Sequence, residues 1–472
     1  MYRRRSSPAA RLVVALIALA CLALGRQPAA LAGRPAAQAQ PPAAQRLPND
    51  PLFHLQPYLL AVHAPEAWAQ QTGDANVVVA VLDSGIDVTH PDLAPNLWIN
   101  PSAGAHGCAG DLNGCSFLDP ARAPSCPPPG PIGNGDVSPM TPNGTFVAGV
   151  IGAAGDNGTG IAGVAWHVSL MAVRVVDCRS GANANTVVAG IQYAVDAGAR
   201  VIDLSAGSSR AAGAGCRAAS QVLADAVQYA RDHGVLVVAP AGDDNRPCVR
   251  DPAAAPAALA VGGYQTTDGG RWVPAHGGMG SNWGPEVAVA APANDITSTI
   301  PRQPGAQPPN DRYATASGTA FAAALVSGEA ALLLSQNPAL TPDWLTELIE
   351  LGAHPRPDGD PPGWAGAGEV DFAASLALVP AAFGGTVAVD GAPAPDGTLV
   401  QAFVAGTLCA ESATFTQNGV AVYALFVPAA QMTAGCGAPG AIIDLLVNGA
   451  PAAQASWQPA AITLNLAAED VP

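Results

Sequence analysis

The strongest constraint on the fold is a run of six apolar residues, Val77-Val78-Val79-Ala80-Val81-Leu82, which ends directly at Asp83. A continuous apolar run of this length is typical of a strand that is buried on both faces. Further strand candidates recur along the chain, at 170–176, 200–204, 235–239 and 259–262. Helical stretches lie between them, so the sequence predicts an α/β fold with a parallel sheet between layers of helices.

Two of the predicted helices carry clear local signals. The segment from Gln221 to His233 places its apolar residues on one helical face. Thr341 followed by Pro342 predicts the start of a late helix, because Thr can cap the first turn and Pro fits its first position.

Residues 1–39 resemble a secretory signal peptide. Met1–Arg11 is basic, Leu12–Leu24 is apolar, and Ala-x-Ala sites end at Ala32 and Ala39. The apolar stretch is shorter than the ~20 residues needed to span a membrane. We therefore expect cleavage after Ala32 or Ala39, and a secreted, extracellular protein with no membrane span. Residues 40–75 then form a linker and an N-terminal lead-in.

The charge distribution excludes one class of partner. The chain has no lysine, and seven of its 20 basic residues lie in the first 46 positions, where there is no acidic residue. The remaining 13 arginines and 36 acidic residues give the rest of the chain a formal charge of −23. So acidic a protein does not bind nucleic acid by neutralising phosphates. We expect a monomer.

Eight cysteines remain once Cys21 leaves with the signal peptide, an even number that suggests disulfides in a secreted protein. Cys409 and Cys436 lie together in the C-terminal segment, so their pairing is the most constrained. Cys216 with Cys248 is a second plausible pair, and the remaining cysteines could pair in several ways: Cys108, Cys115, Cys126 and Cys178. No C-x-x-C pair occurs, so a metal site built on cysteine is disfavoured.

The pattern changes after Pro380, where short strands replace the strand–helix alternation. Asp396-Gly397 and Asn418-Gly419 supply turns between them. The predicted strands are 387–389, 399–404, 420–427, 442–447 and 462–466. This pattern predicts a small β-sandwich domain over residues 383–468.

Four segments of the first part resemble the motifs of the subtilisin-like serine peptidases (subtilases). They are Val81–Asp87 with His90–Leu93, Asn143–Gly149, Val237–Asp243 and Ser317–Ala323. The resemblance implies a three-layer subtilisin-like domain over residues 76–378.

The same resemblance implies a degenerate catalytic site. In the family an Asp orients a His, the His deprotonates a Ser, and an Asn stabilises the oxyanion. Asp83 keeps the family residue, whereas the His position is Asn143 and the Ser position is Ala320. The oxyanion position is Asp243, a carboxylate where negative charge would develop.

Other residues do not rebuild this triad. Ser317 and Thr319 flank Ala320, but on a turn that enters a helix we expect them to bond the local backbone. His106 and His167 are expected to be surface or structural residues, and His90 belongs to the aspartate motif rather than acting as a base.

The predicted substrate-binding edges are retained in the sequence: Ser205, Ala206 and Gly207 on one side, Ala241 and Gly242 on the other. They either hold a peptide as an added strand or persist only as part of the core. Asp83 and Asp243 together would favour a cation or a basic peptide group. We expect no cofactor; the acidic loop Asp111-Leu112-Asn113-Gly114 suggests the calcium that the family often binds, but a solvated turn explains it better.

These features predict a secreted pseudopeptidase that is inactive in peptide-bond hydrolysis and holds a peptide or protein ligand in the former substrate cleft. One alternative is an active secreted serine endopeptidase of the same family. Another is a surface or adhesion protein whose function lies in the C-terminal sandwich.

Overall fold

A computed structural model describes residues 44–104, 106–119, 126, 130–179, 181–205, 220–274, 278–303, 305, 307, 311–356 and 361–469. The predicted signal peptide lies outside the described residues, as do Ala206, Gly207 and Cys216. The chain divides into two compact units. The larger comprises Gln45–Ser335 and Thr341–Leu376, and the smaller comprises Gln336–Leu340 and the chain from Ala377 onward.

A seven-stranded sheet forms the centre of the larger unit, and all of its strand pairs are parallel. Its strands are β1 (Gly73–Asp83), β2 (Gly114–Ser116), β3 (His167–Arg174), β4 (Val201–Asp203), β5 (Leu236–Pro240), β6 (Ala258–Tyr264) and β7 (Val287–Pro292). They lie in the order β2-β3-β1-β4-β5-β6-β7. The hairpin of β8 (Ile296–Thr299) and β9 (Tyr313–Ala316) follows.

Helices cover the sheet, as the strand–helix alternation predicts. They are α1 (Pro57–Ala61), α2 (Ala64–Trp68), α3 (Asn143–Gly152), α4 (Ala184–Asp196), α5 (Gln221–Asp232), α6 (Thr319–Gln336), α7 (Pro342–Gly352) and α8 (Phe372–Ala377), with 3-10 turns at Phe53–Leu55 and Ala94–Asn96. Ala80 and Leu82 of β1 share a core cluster with residues of α4 and α5. Val79 and Val81 on the opposite face are equally buried, which explains why β1 is apolar throughout.

Helix α6 is the only described helix long and apolar enough to cross a membrane, and most of it is buried inside the protein. Helix α7 begins as predicted: the Thr341 side chain accepts a hydrogen bond from the Trp344 backbone N–H, and Pro342 occupies the first turn.

The order of the strands determines where a site can form. The chain passes from β1 to β3 on one side and later to β4 on the other, so the direction of winding reverses around β1. In open α/β sheets, ligands bind beyond the carboxyl ends of the strands at such a reversal. Asp83 is the last residue of β1.

The smaller unit contains two sheets that share one apolar core. The first follows the order β11-β10-β15-β14, with β18 and β19 also beside β10, and the second follows β13-β12-β16-β17. The strands are β10 (Ala381–Val389), β11 (Ala392–Pro393), β12 (Leu399–Val404), β13 (Thr407–Ala413), β14 (Phe415–Gln417), β15 (Val420–Val427), β16 (Ile442–Val447), β17 (Ala450–Ser456), β18 (Ala461–Thr463) and β19 (Leu466–Ala468).

One predicted strand of this unit was wrong. Residues 462–466 do not form one strand, because the strand pairing stops after Thr463 and resumes at Leu466. Between the two, the Asn465 side chain accepts a hydrogen bond from the Thr386 backbone N–H. Both short strands pair with β10 in parallel, so the first sheet is mixed.

Three disulfides join described cysteines: Cys108–Cys115, Cys126–Cys178 and Cys409–Cys436. The last was predicted, and the first two resolve the pairing that the sequence left open. Cys248 is also disulfide-bonded, and its predicted partner Cys216 lies outside the described residues.

Candidate functional site

Asp83 and Asn143 form a direct contact at the carboxyl edge of the sheet. Asn143 is the first residue of α3, and its Nδ2 donates a hydrogen bond of 2.6 Å to Asp83 Oδ2. The Ser84 backbone N–H donates to Asp83 Oδ1 at 2.5 Å. Burial raises the pKa of Asp83, although the hydrogen bonds from Ser84 and Asn143 oppose that shift. The amide therefore occupies the place of the hydrogen-bond donor that a catalytic carboxylate would orient.

Two glycines allow α3 to approach β1 so closely. A Cβ on Gly144 would overlap the Gly85 carbonyl oxygen and lie 3.2 Å from the Cβ of Asp83. Gly85 has a φ of +97°, a conformation that favours glycine. The Ser84 hydroxyl accepts a hydrogen bond of 3.2 Å from the Gly144 N–H. The contact between Asp83 and Asn143 is thus determined by the backbone around them.

Ala320 is the second residue of α6 and is partly exposed. The ring of the next residue, Phe321, packs on Phe146 of α3 with centroids 4.2 Å apart. Since Phe146 lies one turn after Asn143, the N-terminal ends of α3 and α6 are neighbours, and the predicted His and Ser positions lie on adjoining helix ends.

Asp243 follows β5 and binds the start of α6. Its Oδ1 accepts hydrogen bonds from the Thr319 N–H at 2.9 Å and from the Thr319 hydroxyl at 2.7 Å. Oδ2 lies 3.3 Å from where a Cβ on Gly318 would stand, and no described residue donates to it. Burial raises the pKa of Asp243, while Thr319 and the Arg250 charge lower it in part. The arrangement leaves one acceptor oxygen, rather than a donor, beside Ala320.

A third acid, Asp203 at the end of β4, was not predicted as a site residue. It is fully buried and accepts hydrogen bonds from the hydroxyls of Ser205 at 2.6 Å and Ser327 at 2.7 Å. Burial, with a smaller contribution from the Asp83 charge, raises the pKa of Asp203 to about 7. The signal in the sequence was an acid inside the apolar run 200–204.

The predicted binding edges are described only in part. The Ser205 hydroxyl bonds Asp203, and Ala241 is buried. The Gly242 N–H donates to the Thr319 hydroxyl, and its carbonyl accepts from the Asn282 N–H. A peptide-binding role for these edges, and for Ala206 and Gly207, stays a prediction.

Histidines and hydroxyls near the motifs do not rebuild a triad among the described residues. The side-chain partners of Asp83 there are Ser84 and Asn143. His90 is buried against the Arg312 carbonyl oxygen, and burial lowers its pKa to about 4. The Ser317 hydroxyl accepts from the Asp295 N–H. His167, at the start of β3, is exposed.

The solvated turn predicted at Asp111 was wrong. Asp111 is fully buried, and its carboxylate accepts hydrogen bonds from the Asn100 amide, the Gly104 N–H and the Tyr193 hydroxyl. It anchors its loop, and these donors occupy the oxygens that a calcium ion would need.

Two other acids of the larger unit, Asp50 and Asp92, are buried as well. Asp50 Oδ1 is buried without a hydrogen-bond partner in the described part of the chain. Burial raises the pKa of Asp92 to about 6, and the charge of Asp50 adds to the shift. Donors occupy both carboxylate oxygens of Asp92, from Asn157, Ile161 and Tyr313, so Asp92 offers calcium no freer oxygen than Asp111 does.

Comparison with known proteins identifies the family. Residues 74–368 match the Subtilase family. Thermitase of Thermoactinomyces vulgaris is 35% identical over 291 residues, which cover 61% of this chain and 86% of thermitase. A thermophilic serine proteinase of Bacillus sp. (strain AK1) is 34% identical over 272 residues, 57% of this chain and 55% of that protein. The halolysin-like extracellular serine protease Nep of Natrialba magadii is 32% identical over 303 residues, 64% of this chain and 48% of Nep.

This chain thus spans about half the length of the last two relatives. A solved protease from Pseudoalteromonas arctica is structurally similar, with a TM-score of 0.57 and 27% identity over 70% of this chain and 98% of that one. The predicted three-layer fold is confirmed. With a family match over more than half of its length, this chain belongs to the subtilase family.

Proposed function

We propose that this chain is a secreted pseudopeptidase, a subtilase that binds a peptide or protein segment in its cleft without hydrolysing it. The observation that carries the proposal is the Asn143 amide, which donates to Asp83 where the family places a histidine. An amide has no pKa in a range that allows it to accept a proton from a nucleophile.

The positions of the nucleophile and of the oxyanion support the same conclusion. Ala320 presents a methyl group where the family has its serine hydroxyl. In subtilisin, which is itself a member of this family, loss of Ser or His alone lowers kcat by about 10⁶-fold. Asp243 replaces a donor whose removal alone costs about 10²–10³-fold. Since Asp243 Oδ2 is an acceptor, it would repel a developing oxyanion.

The activity is tested with an active-site fluorophosphonate probe and a panel of peptide substrates, with an active subtilase as the positive control. We expect no labelling and no turnover above a heat-treated sample of this protein. Labelling or turnover above that sample would contradict the proposal and favour an active endopeptidase, the activity named for its relatives.

The acids of the cleft indicate the chemistry of the ligand. Asp243 offers an oxygen to which no described residue donates, close to the partly exposed Ala320. A ligand that supplies a cationic or N–H donor group to this oxygen would offset its burial. We therefore expect peptides with a basic residue to bind better than matched acidic peptides.

Binding is measured by fluorescence anisotropy with basic and acidic peptides of equal length. Asp243→Asn should remove the preference for the basic peptide, because the amide presents a donor instead of an acceptor. Asp232→Asn, an exposed acid of α5, is the matched control and should keep the preference. Equal binding of both peptides by the unmodified protein would contradict a basic ligand.

Secretion is supported by the disulfides, since such bonds persist in oxidising compartments. Expression with the full leader, followed by N-terminal sequencing of the exported protein, should give a first residue of Gly33 or Gln40. A protein retained inside the cell with Met1 intact would contradict this part of the proposal.

A further inference from the structure

Two histidines and an aspartate from three separate segments meet on the larger unit. His63 precedes α2, His354 follows α7 and Asp371 precedes α8. His63 Nδ1 lies 3.0 Å and His354 Nε2 lies 2.7 Å from the same atom, Asp371 Oδ2. All three atoms lie within 4.8 Å of one another.

We propose that His63, His354 and Asp371 bind a divalent metal ion and that they prefer Zn²⁺. Zinc accepts imidazole nitrogen and carboxylate oxygen at about 2.0–2.2 Å, so two ligand atoms of a tetrahedral site lie roughly 3.3 Å apart. Two of the three separations are already close to this value. The third separation, between the two histidine nitrogens, is no more than 4.8 Å.

The backbone holds the three residues in place without the ion. The Phe372 N–H donates to the Val62 carbonyl at 3.0 Å, which joins the neighbours of Asp371 and His63. His354 and Glu369 exchange two backbone hydrogen bonds of 2.7 and 2.9 Å. Ligands held in this way do not have to be ordered when the metal binds.

The second oxygen of the carboxylate is also oriented. Asp371 Oδ1 accepts a hydrogen bond of 2.9 Å from the Ala374 N–H in α8, which leaves Oδ2 for the two histidines. Outer hydrogen bonds of this kind fix ligand orientation in metal sites.

Exposure leaves room for an ion to enter. The Asp371 side chain is 8% exposed, whereas those of His63 and His354 are 45% and 59% exposed. Three protein ligands with an open side allow water to complete a tetrahedral zinc site. Two imidazoles disfavour calcium and magnesium, which select oxygen ligands.

A metal at this site would link the N-terminal lead-in to the segment that connects α7 and α8. An ion that binds only the folded chain raises its stability, and the gain grows with the logarithm of the free ion concentration once that concentration exceeds the Kd. The site uses none of the residues assigned to the cleft, so it stands or falls independently of the proposed function.

The test is calorimetric titration of the full chain with Zn²⁺, after treatment with EDTA and without a polyhistidine tag. We expect one equivalent to bind and the melting temperature to rise. His63→Gln and His354→Gln should each lower the zinc affinity by more than about 10-fold. Loss of an outer-shell partner alone can cost that much, and these residues are direct ligands. His167→Gln, an exposed histidine elsewhere, is the matched control and should bind like the unmodified protein.

Comparison of all four proteins in EDTA separates folding from binding. The His63→Gln and His354→Gln variants should stay folded there, because the backbone bonds remain, and should melt slightly below the unmodified protein, because each loses a contact with Asp371. Absence of zinc binding by the unmodified protein would overturn the proposal. Unchanged zinc affinity in both His63→Gln and His354→Gln would also overturn it, since the ion would then lie elsewhere.

Discussion

At the scale of single residues, the predicted site keeps several hydrogen bonds although three of its positions carry residues that differ from those of the family. The hydrogen bond from Asn143 to Asp83 keeps the direction of the family's histidine–aspartate contact, and Asp243 Oδ1 keeps an acceptor for Thr319. What differs from the family is the side chain at three predicted positions: an amide at Asn143, a methyl group at Ala320 and a carboxylate at Asp243.

Restoring the family's residues at these three positions should restore reactivity. The variant Asn143→His with Ala320→Ser and Asp243→Asn should react with the fluorophosphonate probe, because the backbone that positions these residues is in place. The matched control lacks Ala320→Ser and should stay unlabelled. A folded triple variant that reacts no faster than this control would contradict the assignment of the positions.

Asp203 should make stability depend on pH. Its pKa is raised in the folded chain, so between about pH 4 and 7 the folded state holds a proton that the unfolded state has released. Raising the pH through that window should lower the free energy of unfolding by up to about 1.4 kcal/mol per pH unit. Asp203→Asn should weaken this dependence.

Urea unfolding of both proteins at several pH values measures the effect. The free energy of unfolding of the Asp203→Asn variant, minus that of the unmodified protein, should increase from pH 4 to pH 7 and stay constant above pH 7. If this difference were the same at every pH, the Asp203 carboxyl group would not titrate in this window.

At the scale of elements, strand ends and helix starts assemble the site. Strands β1, β4 and β5 deliver Asp83, Asp203 and Asp243 to one edge of the sheet, because parallel strands end at the same edge. Helices α3 and α6 begin there with Asn143 and Thr319. The N-terminal N–H groups of a helix lack partners within the helix, and at α6 the Asp243 carboxylate supplies one.

Helix α7 offers a test of local sequence signals. Thr341→Ala removes a side-chain oxygen that accepts from the Trp344 N–H, so we expect a loss of about 0.5–2 kcal/mol in the free energy of unfolding. Ser220 precedes α5 without a side-chain cap bond and provides the matched control. Ser220→Ala should cost less than Thr341→Ala, because no cap hydrogen bond is lost. Equal losses in urea unfolding would argue against a specific cap at Thr341.

At the scale of the whole molecule, the chain builds separate apolar cores in its two units. Cys409 and Cys436 close a loop within the smaller unit, with a sequence separation of 27. Replacing both by Ala releases that constraint on the unfolded chain, and a loop of this length contributes about 3–4 kcal/mol.

Differential scanning calorimetry should resolve this change. The thermal transition of the smaller unit should move to lower temperature, while that of the larger unit stays in place. If both transitions moved together, the two cores would unfold as one cooperative unit.

Much of the architecture could be predicted from the sequence. The apolar run before Asp83 identified β1, Thr341-Pro342 identified the start of α7, and the motif order indicated the subtilase fold. The break in the strand at residues 462–466 could not be predicted, since the bond that accompanies it comes from Thr386. The burial of Asp111 could not be predicted either, since its donors include Asn100 and Tyr193. Such partners are distant in sequence and leave no local pattern.

The sequence alone predicts which side chains stand at the catalytic positions, because a motif specifies residue type as well as order. It predicts Asn143 and Ala320 at the positions where the family has His and Ser. Only the tertiary structure decided what those groups bond to: Asn143 to Asp83, Asp243 to the start of α6, and His63 with His354 to Asp371. The physical reason is range. Propensities and motifs act between neighbours along the chain, whereas hydrogen bonds and ion pairs form wherever folding brings two groups together.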